Sequence, residues 1–285
     1  MSFVNKITRC HHWPEERFRR FMIDGRLRGW MTHAFAEALE AYPKVFLVEE
    51  SAVPLSPALA GPAVRTAALD ALLDDIAARG LGPRRRNEVY PVNRAWAEPP
   101  VLLLDRGAVP YFGTRSYGVH VNGYQRRKDG IHLWVARRSA DKPVAPGKLD
   151  HMVAGGQPYG LTLEENLVKE SWEEASLEEA VARRAEPVGE IAYRCLLGEH
   201  LRDDVLFCYD LELPEEVTPK PQDDEVEAFE LWPLAEVVER VRDSDDFKFN
   251  VNLVLLDFFL RHGALDKNDA EVAALAERHY SRPPD

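Results

Sequence analysis

AGGQPYGLTLEENLVKESWEEASL, residues 154–177, joins a glycine turn to an acidic segment, and its spacing decides the fold. Thr162 followed three residues later by Glu165 is a capping box, which marks a helix start. Glu164 and Glu165 then sit in the first turn, where the helix dipole favours negative charge. Glu170, Glu173 and Glu174 fall in the C-terminal half instead, where the dipole opposes them. Glu170 is i,i+3 to Glu173 and i,i+4 to Glu174, and each such like-charge pair costs about 0.2–0.5 kcal/mol in an isolated helix. Only Lys169 offsets them. Val168, Trp172 and Ala175, with Leu163 and Leu167, are spaced to bury the opposite side against a sheet. Carboxylates aligned in this way mean either a solvated acidic face or a holder for a hard divalent cation, Mg²⁺ or Mn²⁺, whose charge cancels their repulsion.

The flanks of this helix read as strands. YGVHVNGYQ and GIHLWVARRS are β-prone runs on either side of KDG, an antiparallel hairpin signal. KPVAPGKLDHMVAGGQPYG reads as a Gly/Pro-rich loop into the helix. Glu178 and Glu179 read as a solvated turn beyond it, followed by strands PVGEIAYRC, VLFCYDLEL and EAFELWPL. A helix around Ala235 to Val241 and an amphipathic one from Phe247 to His262 come next. Toward the N-terminus, the apolar spacing from Pro14 to Tyr42 predicts helix broken at Gly25 and Gly29. KVFLVEE reads as a strand and Arg65 to Arg79 as a helix stopped by Gly80 and Gly82. An irregular stretch from Trp96 to Gly113 separates the two parts, giving an N-terminal α/β domain over 1–112 and a second domain over 113–285. Interleaved strands and helices with antiparallel links predict an α+β or mixed α/β sandwich.

Composition narrows the function classes. At 285 residues with net charge −12, the chain has no overall basic character for nucleic acid. No apolar run reaches a membrane-spanning length, and MSFVNKITRCHHWPEE lacks the order of a secretory signal, so the expected location is the cytoplasm. Cys10, Cys195 and Cys208 form no CxxC pair and read as reduced, buried thiols. Between Arg126 and Lys148, seven basic residues face only Asp129 and Asp141, a local surplus suited to a small anionic ligand.

The quoted stretch resembles the box of the Nudix (MutT-like) hydrolases: Gly, five residues, Glu, seven residues, then Arg-Glu-aliphatic-x-Glu-Glu-x-Gly-aliphatic. Aligned on the glutamates, Gly155 takes the first glycine, Lys169 the arginine, Glu170, Glu173 and Glu174 the metal-binding positions, and Leu177 the final aliphatic. Leu161 replaces the first glutamate, Ser171 an aliphatic and Ser176 the second glycine. Loss of that glutamate puts the bracing of loop on helix in doubt. Segments DGRLRGWM, KVFLVEE, RTAALDALL, RRRNEVYPV and YFGTRSYGVHVNGY are similar to a Nudix subgroup related to thiamine pyrophosphokinase.

The resemblance implies a Nudix-type α/β/α sandwich with a mixed sheet, preceded by a smaller α/β domain. It also implies Mg²⁺- or Mn²⁺-dependent hydrolysis of an X-linked diphosphate, with thiamine diphosphate or its oxidised analogues as substrate, no nucleic-acid or membrane partner, and a homodimer as one oligomeric option. Glu170, Glu173 and Glu174 would hold the metal with Glu225 or Glu227 downstream, and Glu173 or Glu174 would act as base. Arg137 and Arg138, beside Gly155 and Gly156, are candidates for the phosphates; neighbours on a strand point to opposite faces, so one of the two arginines is expected to reach. A Nudix-like binding module without catalysis is the rival reading. His120 and His132, on opposite arms of the hairpin, read as ordinary polar strand residues, and Trp96, Trp134 and Trp232 as core or rim aromatics, one of which could stack on a substrate ring.

Overall fold

The computed structural model describes residues 2–142 and 144–265, so the expected second-domain stretch 266–285 lies outside the described residues. The chain opens with α1 (Phe3–His11), then β1 (Phe18–Ile23), β2 (Arg26–Thr32), α2 (His33–Ala38), β3 (Ala52–Pro54) and α3 (Pro62–Ala78). β4 (Val89–Val92), β5 (Leu102–Asp105) and α4 (Val109–Phe112) complete the N-terminal part. The expected helix over Pro14 to Tyr42 is therefore largely a β-hairpin, because Asp24 and Gly25 take φ of 52° and 70° and close a tight turn. KVFLVEE is not a strand; it contributes a single bridge pair, Phe46 with Leu55, while β3 pairs in parallel with β1. α3 matches the helix read from Arg65 to Arg79, with Pro62 fixing its first turn.

The larger sheet follows with β6 (Ser116–Arg127), β7 (Gly130–Arg138), β8 (Leu149–His151) and β9 (Val153–Gly156). β6 and β7 form the hairpin read around KDG, but the Gly/Pro-rich loop contains two short strands, β8 on β7 and β9 on β6. Next come α5 (Leu163–Ala175), α6 (Glu179–Ala182), β10 (Glu186–Leu197), β11 (His200–Glu212), β12 (Val226–Pro233), α7 (Leu234–Asp243) and α8 (Val251–Arg261). Glu178 and Glu179 thus start a short helix and not a turn. The strand order is β10-β11-β6-β7-β12, and the β11–β6 pair is parallel, so the sheet is mixed.

Two apolar clusters make this a three-layer sandwich. α5 and α6 cover one face through Leu167, Ala175, Leu177 and Ala182 against Val121, Trp134 and Leu211. α1, α7 and α8 cover the other, where Phe3, Ile7, Val237, Leu255 and Phe258 meet Tyr193, Leu206 and Cys208. α8 is buried from Val251 to Leu260, so it is a core helix and not an amphipathic one. All three cysteines are free and buried. A separate core, with Phe21, Met31, Leu69, Leu104 and Phe112, holds the N-terminal part together. No described helix is long and apolar enough to cross a membrane.

Candidate active site

α5 begins as its capping box dictates: Glu165 N–H donates to Thr162 Oγ1 at 3.2 Å, and Thr162 N–H to the Glu165 carboxylate at 2.8 Å. Its buried side carries Asn166, Leu167, Ser171, Glu174 and Ala175, whereas Trp172, expected inside, is half exposed. Glu170 and Glu173 line a cleft of about 660 Å³. Lys169 Nζ sits between them, 3.0 Å from Glu170 and 2.6 Å from Glu173. Burial raises the Glu170 carboxyl, and the Lys169 ammonium works against the rise. Glu174 is turned inward, where its carboxylate accepts from Ala154 N–H at 2.8 Å. Burial pushes its pKa up to about 8 despite that bond.

Gly155 explains why Glu170 can lie flat on β9. A Cβ at residue 155 would fall 2.2 Å from the Glu170 carboxyl carbon. Gly156 does the same for the other wall, since its Cβ would fall 1.8 Å from the Tyr90 hydroxyl and 3.3 Å from the Arg106 guanidinium. That other wall belongs to the N-terminal part and carries Arg84, Arg86, Glu88, Arg106 and Tyr111. The floor holds Arg202, Lys248, Phe249 and Asn250. Burial lowers the Lys248 ammonium, with Asp150 at 3.7 Å partly restoring it.

Residues 116–252 match the NUDIX domain model, and residues 2–116 match a model described as a domain of unknown function (DUF4743). Nudix hydrolase 20, chloroplastic, of Arabidopsis thaliana is 39% identical over 292 residues, covering 99% of this chain and 78% of that protein. Nudix hydrolase 24, chloroplastic, of the same plant is 39% identical over 268 residues, covering 93% and 73%. An uncharacterized protein of Saccharomyces cerevisiae is 35% identical over 215 residues, covering 70% and 62%. The chain belongs to the Nudix hydrolases. It is a hydrolase of the pyrophosphate-cleaving class.

The departures from the Nudix box have local compensations. Where the first glutamate is missing, fully buried Gln157 donates from Nε2 to the Leu161 carbonyl at 2.8 Å, and Asn166 Nδ2 donates to the Gly156 carbonyl at 2.9 Å. Gln157 ties the loop to itself and Asn166 ties it to the helix, amides in place of a carboxylate. Ser176 occupies the glycine position with φ of 54°, a left-handed conformation that costs a side chain about 1 kcal/mol or more. Its hydroxyl, 3.0 Å from the Lys220 carbonyl, offsets part of that. Ser171, in place of an aliphatic, keeps a buried hydroxyl with no hydrogen-bond partner among the described residues.

The other expected residues divide. Arg138 lines the Nudix cleft but is committed: Nη1 meets Asp150 at 2.9 Å, and Nη2 and Nε hold the carbonyls of Val144 and Ala145. Arg137 points away, 3.9 Å from Glu230 on β12, so the strand alternation chose Arg138 and gave it a bracing contact. Glu225 lines the cleft in an ion pair with Lys142, which holds its carboxyl below the usual range although burial works against it. Glu227 is exposed and does not line the cleft; a two-residue period alone would put it beside Glu225, and the bulge at the start of β12 separates them. Trp96, Trp134 and Trp232 do not line the cleft; the aromatic faces there are Tyr111, Tyr193 and Phe249.

Sequence reasoning missed Arg84, Arg86, Arg106, Arg202 and Lys248. The RRR run at 84–86 was the available signal for the first two. It also missed that His120 pairs with His151, 2.7 Å away in full burial. Burial pushes His151 down to about 4.

Among the described residues, no three His, Cys, Asp or Glu side chains form a ready cage for an ion. Each carboxylate is turned to a positive or N–H partner instead: Glu170 and Glu173 to Lys169, Glu225 to Lys142, and Glu174 to Ala154. The donor chemistry nevertheless fits a hard divalent cation, because the set is all carboxylate oxygen and the Gly155 surface leaves Glu170 open to the cleft.

Proposed function

We propose that this Nudix hydrolase uses Mg²⁺ or Mn²⁺ to cleave an organic diphosphate, with thiamine diphosphate or an oxidised form of it as the leading candidate, releasing the organic monophosphate and orthophosphate. One P–O bond to the bridging oxygen breaks and one to water oxygen forms. The observation that carries this reading is the single cleft in which the Glu170 and Glu173 carboxylates face arginines and lysines on the remaining walls. The substrate candidate rests on the likeness of the N-terminal segments to the thiamine-related subgroup, and Tyr111 and Phe249 offer ring faces for a heterocycle.

Glu170, Glu173 and Glu174 would hold the metal, with Glu225 across the cleft. Bound there, a divalent cation neutralises phosphoryl charge and makes water a better nucleophile near neutral pH. Glu173 lines the cleft and is the better placed of the two candidate bases, whereas Glu174 fixes β9 against α5 through Ala154. Lys248 and Arg202, on the floor, steady the departing phosphate oxygens. Turnover of thiamine diphosphate, its oxidised analogues, ADP-ribose and dinucleotides with Mg²⁺ or Mn²⁺ tests this, with EDTA as control. Metal-dependent release of a monophosphate from one of them is expected; no turnover, or turnover indifferent to EDTA, overturns it.

A further inference from the structure

The cleft wall built by the N-terminal part has no part in the Nudix box, yet its geometry is that of a prepared anion holder. Asp105, 6% exposed at the end of β5, accepts three backbone N–H groups: Arg86 at 3.0 Å, Asn87 at 3.0 Å and Gly107 at 2.8 Å. Arg106 N–H donates to the Glu88 carbonyl at 2.7 Å, and a Cβ on Gly107 would fall 2.1 Å from the Arg84 carbonyl. Two turns are thus cross-braced face to face. Arg85 is pulled outward onto Asp70 and Asp74 of α3, which leaves its neighbours Arg84 and Arg86 on the cleft side. Among the described residues neither of those two makes an ion pair. Arg106 completes the group, with Nη1 on Glu88 at 2.7 Å and its guanidinium over the Tyr90 ring.

We infer that the N-terminal domain supplies a clamp for the free terminal phosphate of the substrate, formed by Arg84, Arg86 and Arg106 opposite the glutamates of α5. This rests on the diphosphate reading above and assigns that domain a share in substrate recognition. A terminal phosphate carries a charge of about −1.5 to −2, whereas an esterified inner phosphate carries about −1. Three guanidinium groups on two cross-braced turns match the former, and planar forks suit its several oxygens. The clamp selects monoesters of diphosphate over molecules esterified at both ends.

ADP and ADP-ribose form a suitable probe pair, since they share an adenosine and differ in whether the second phosphate is esterified. Arg84→Ala/Arg86→Ala is expected to raise KM for ADP about tenfold or more, the size of lost charge-assisted hydrogen bonds, with kcat within about twofold. ADP-ribose kinetics are expected to stay unchanged. Binding of inorganic pyrophosphate by calorimetry in EDTA decides the clamp independently of turnover. There the double variant is expected to weaken about tenfold or more, while Lys128→Ala, at the opposite end of the β6–β7 hairpin, binds like wild type. Thermal melts confirm the fold of each variant. Unaltered pyrophosphate binding in the double variant, or equal losses for ADP and ADP-ribose, overturns the clamp; absent turnover with intact arginine-dependent pyrophosphate binding overturns only the hydrolytic reading for these probes.

Discussion

Helix α5 and the arginine turn face each other across one cleft, and each gathers like charges by different means. The glutamates of α5 are spaced by helix geometry, and only side-chain partners such as Lys169 relieve them. The turns that carry the arginines are held together by backbone N–H groups on Asp105, and among the described residues neither Arg84 nor Arg86 makes an ion pair. Charge balanced by mobile ammonium groups responds to an incoming cation. Charge fixed by the backbone stays where it is and waits for an anion.

The largest effect that would break this contrast lies on the acidic wall. Glu170→Gln is expected to lower kcat by about three orders of magnitude, the several kcal/mol that a lost metal-centred interaction represents, with the melt nearly unchanged. A change in KM alone would show the acidic wall acting merely as a binding surface. Gly156→Ala probes the seam between the walls, because its methyl group would press on Tyr90 and Arg106. A loss of up to about 3 kcal/mol in denaturant unfolding is expected, and a neutral result would mean the walls are not in register.

pH sharpens the same contrast. In EDTA the buried Glu174 carboxyl has its folded pKa raised to about 8 from 4.5, so the folded chain binds a proton that the unfolded chain has released. Stability is then lost as pH rises toward 8, by about 2 kcal/mol between pH 6 and pH 8. His151, depressed to about 4, acts in the opposite sense below pH 6.5. Comparing wild type with Glu174→Gln cancels the histidine contribution, and the variant is expected to lose the Glu174 slope. The smallest effect is Thr162→Ala, which removes the helix cap and should cost about 1 kcal/mol in unfolding while sparing kcat.

What could be read in advance followed the range of the forces involved. The β6–β7 hairpin, the start of α5 and the extent of α3 are set by near neighbours: a turn, a capping box, a proline. The β1–β2 hairpin was misread because its apolar positions also satisfy a helical period, and the Asp24-Gly25 turn that decides it was weighed as a mere break. Gln157 and Asn166 repair the box through contacts that no motif encodes. The arginine wall arises where Arg84, Arg86 and Arg106, far from the box in sequence, line the same cleft as the glutamates. Glu225 and Glu227 were inseparable in sequence because the bulge in β12 shifts its alternation.

Helix α1 adds a consequence for the order of assembly. Phe3, Ile7 and Cys10 close the same core as α8, and Lys6 reaches Asp245 at 2.7 Å, so α1 completes an interior shared with the sheet and with residues beyond 240. That helix has its apolar face covered only once α8, far along the sequence, has been made. Cutting between the two domains would strip the catalytic one of part of its interior, which ties production of the hydrolase to possession of its N-terminal wall.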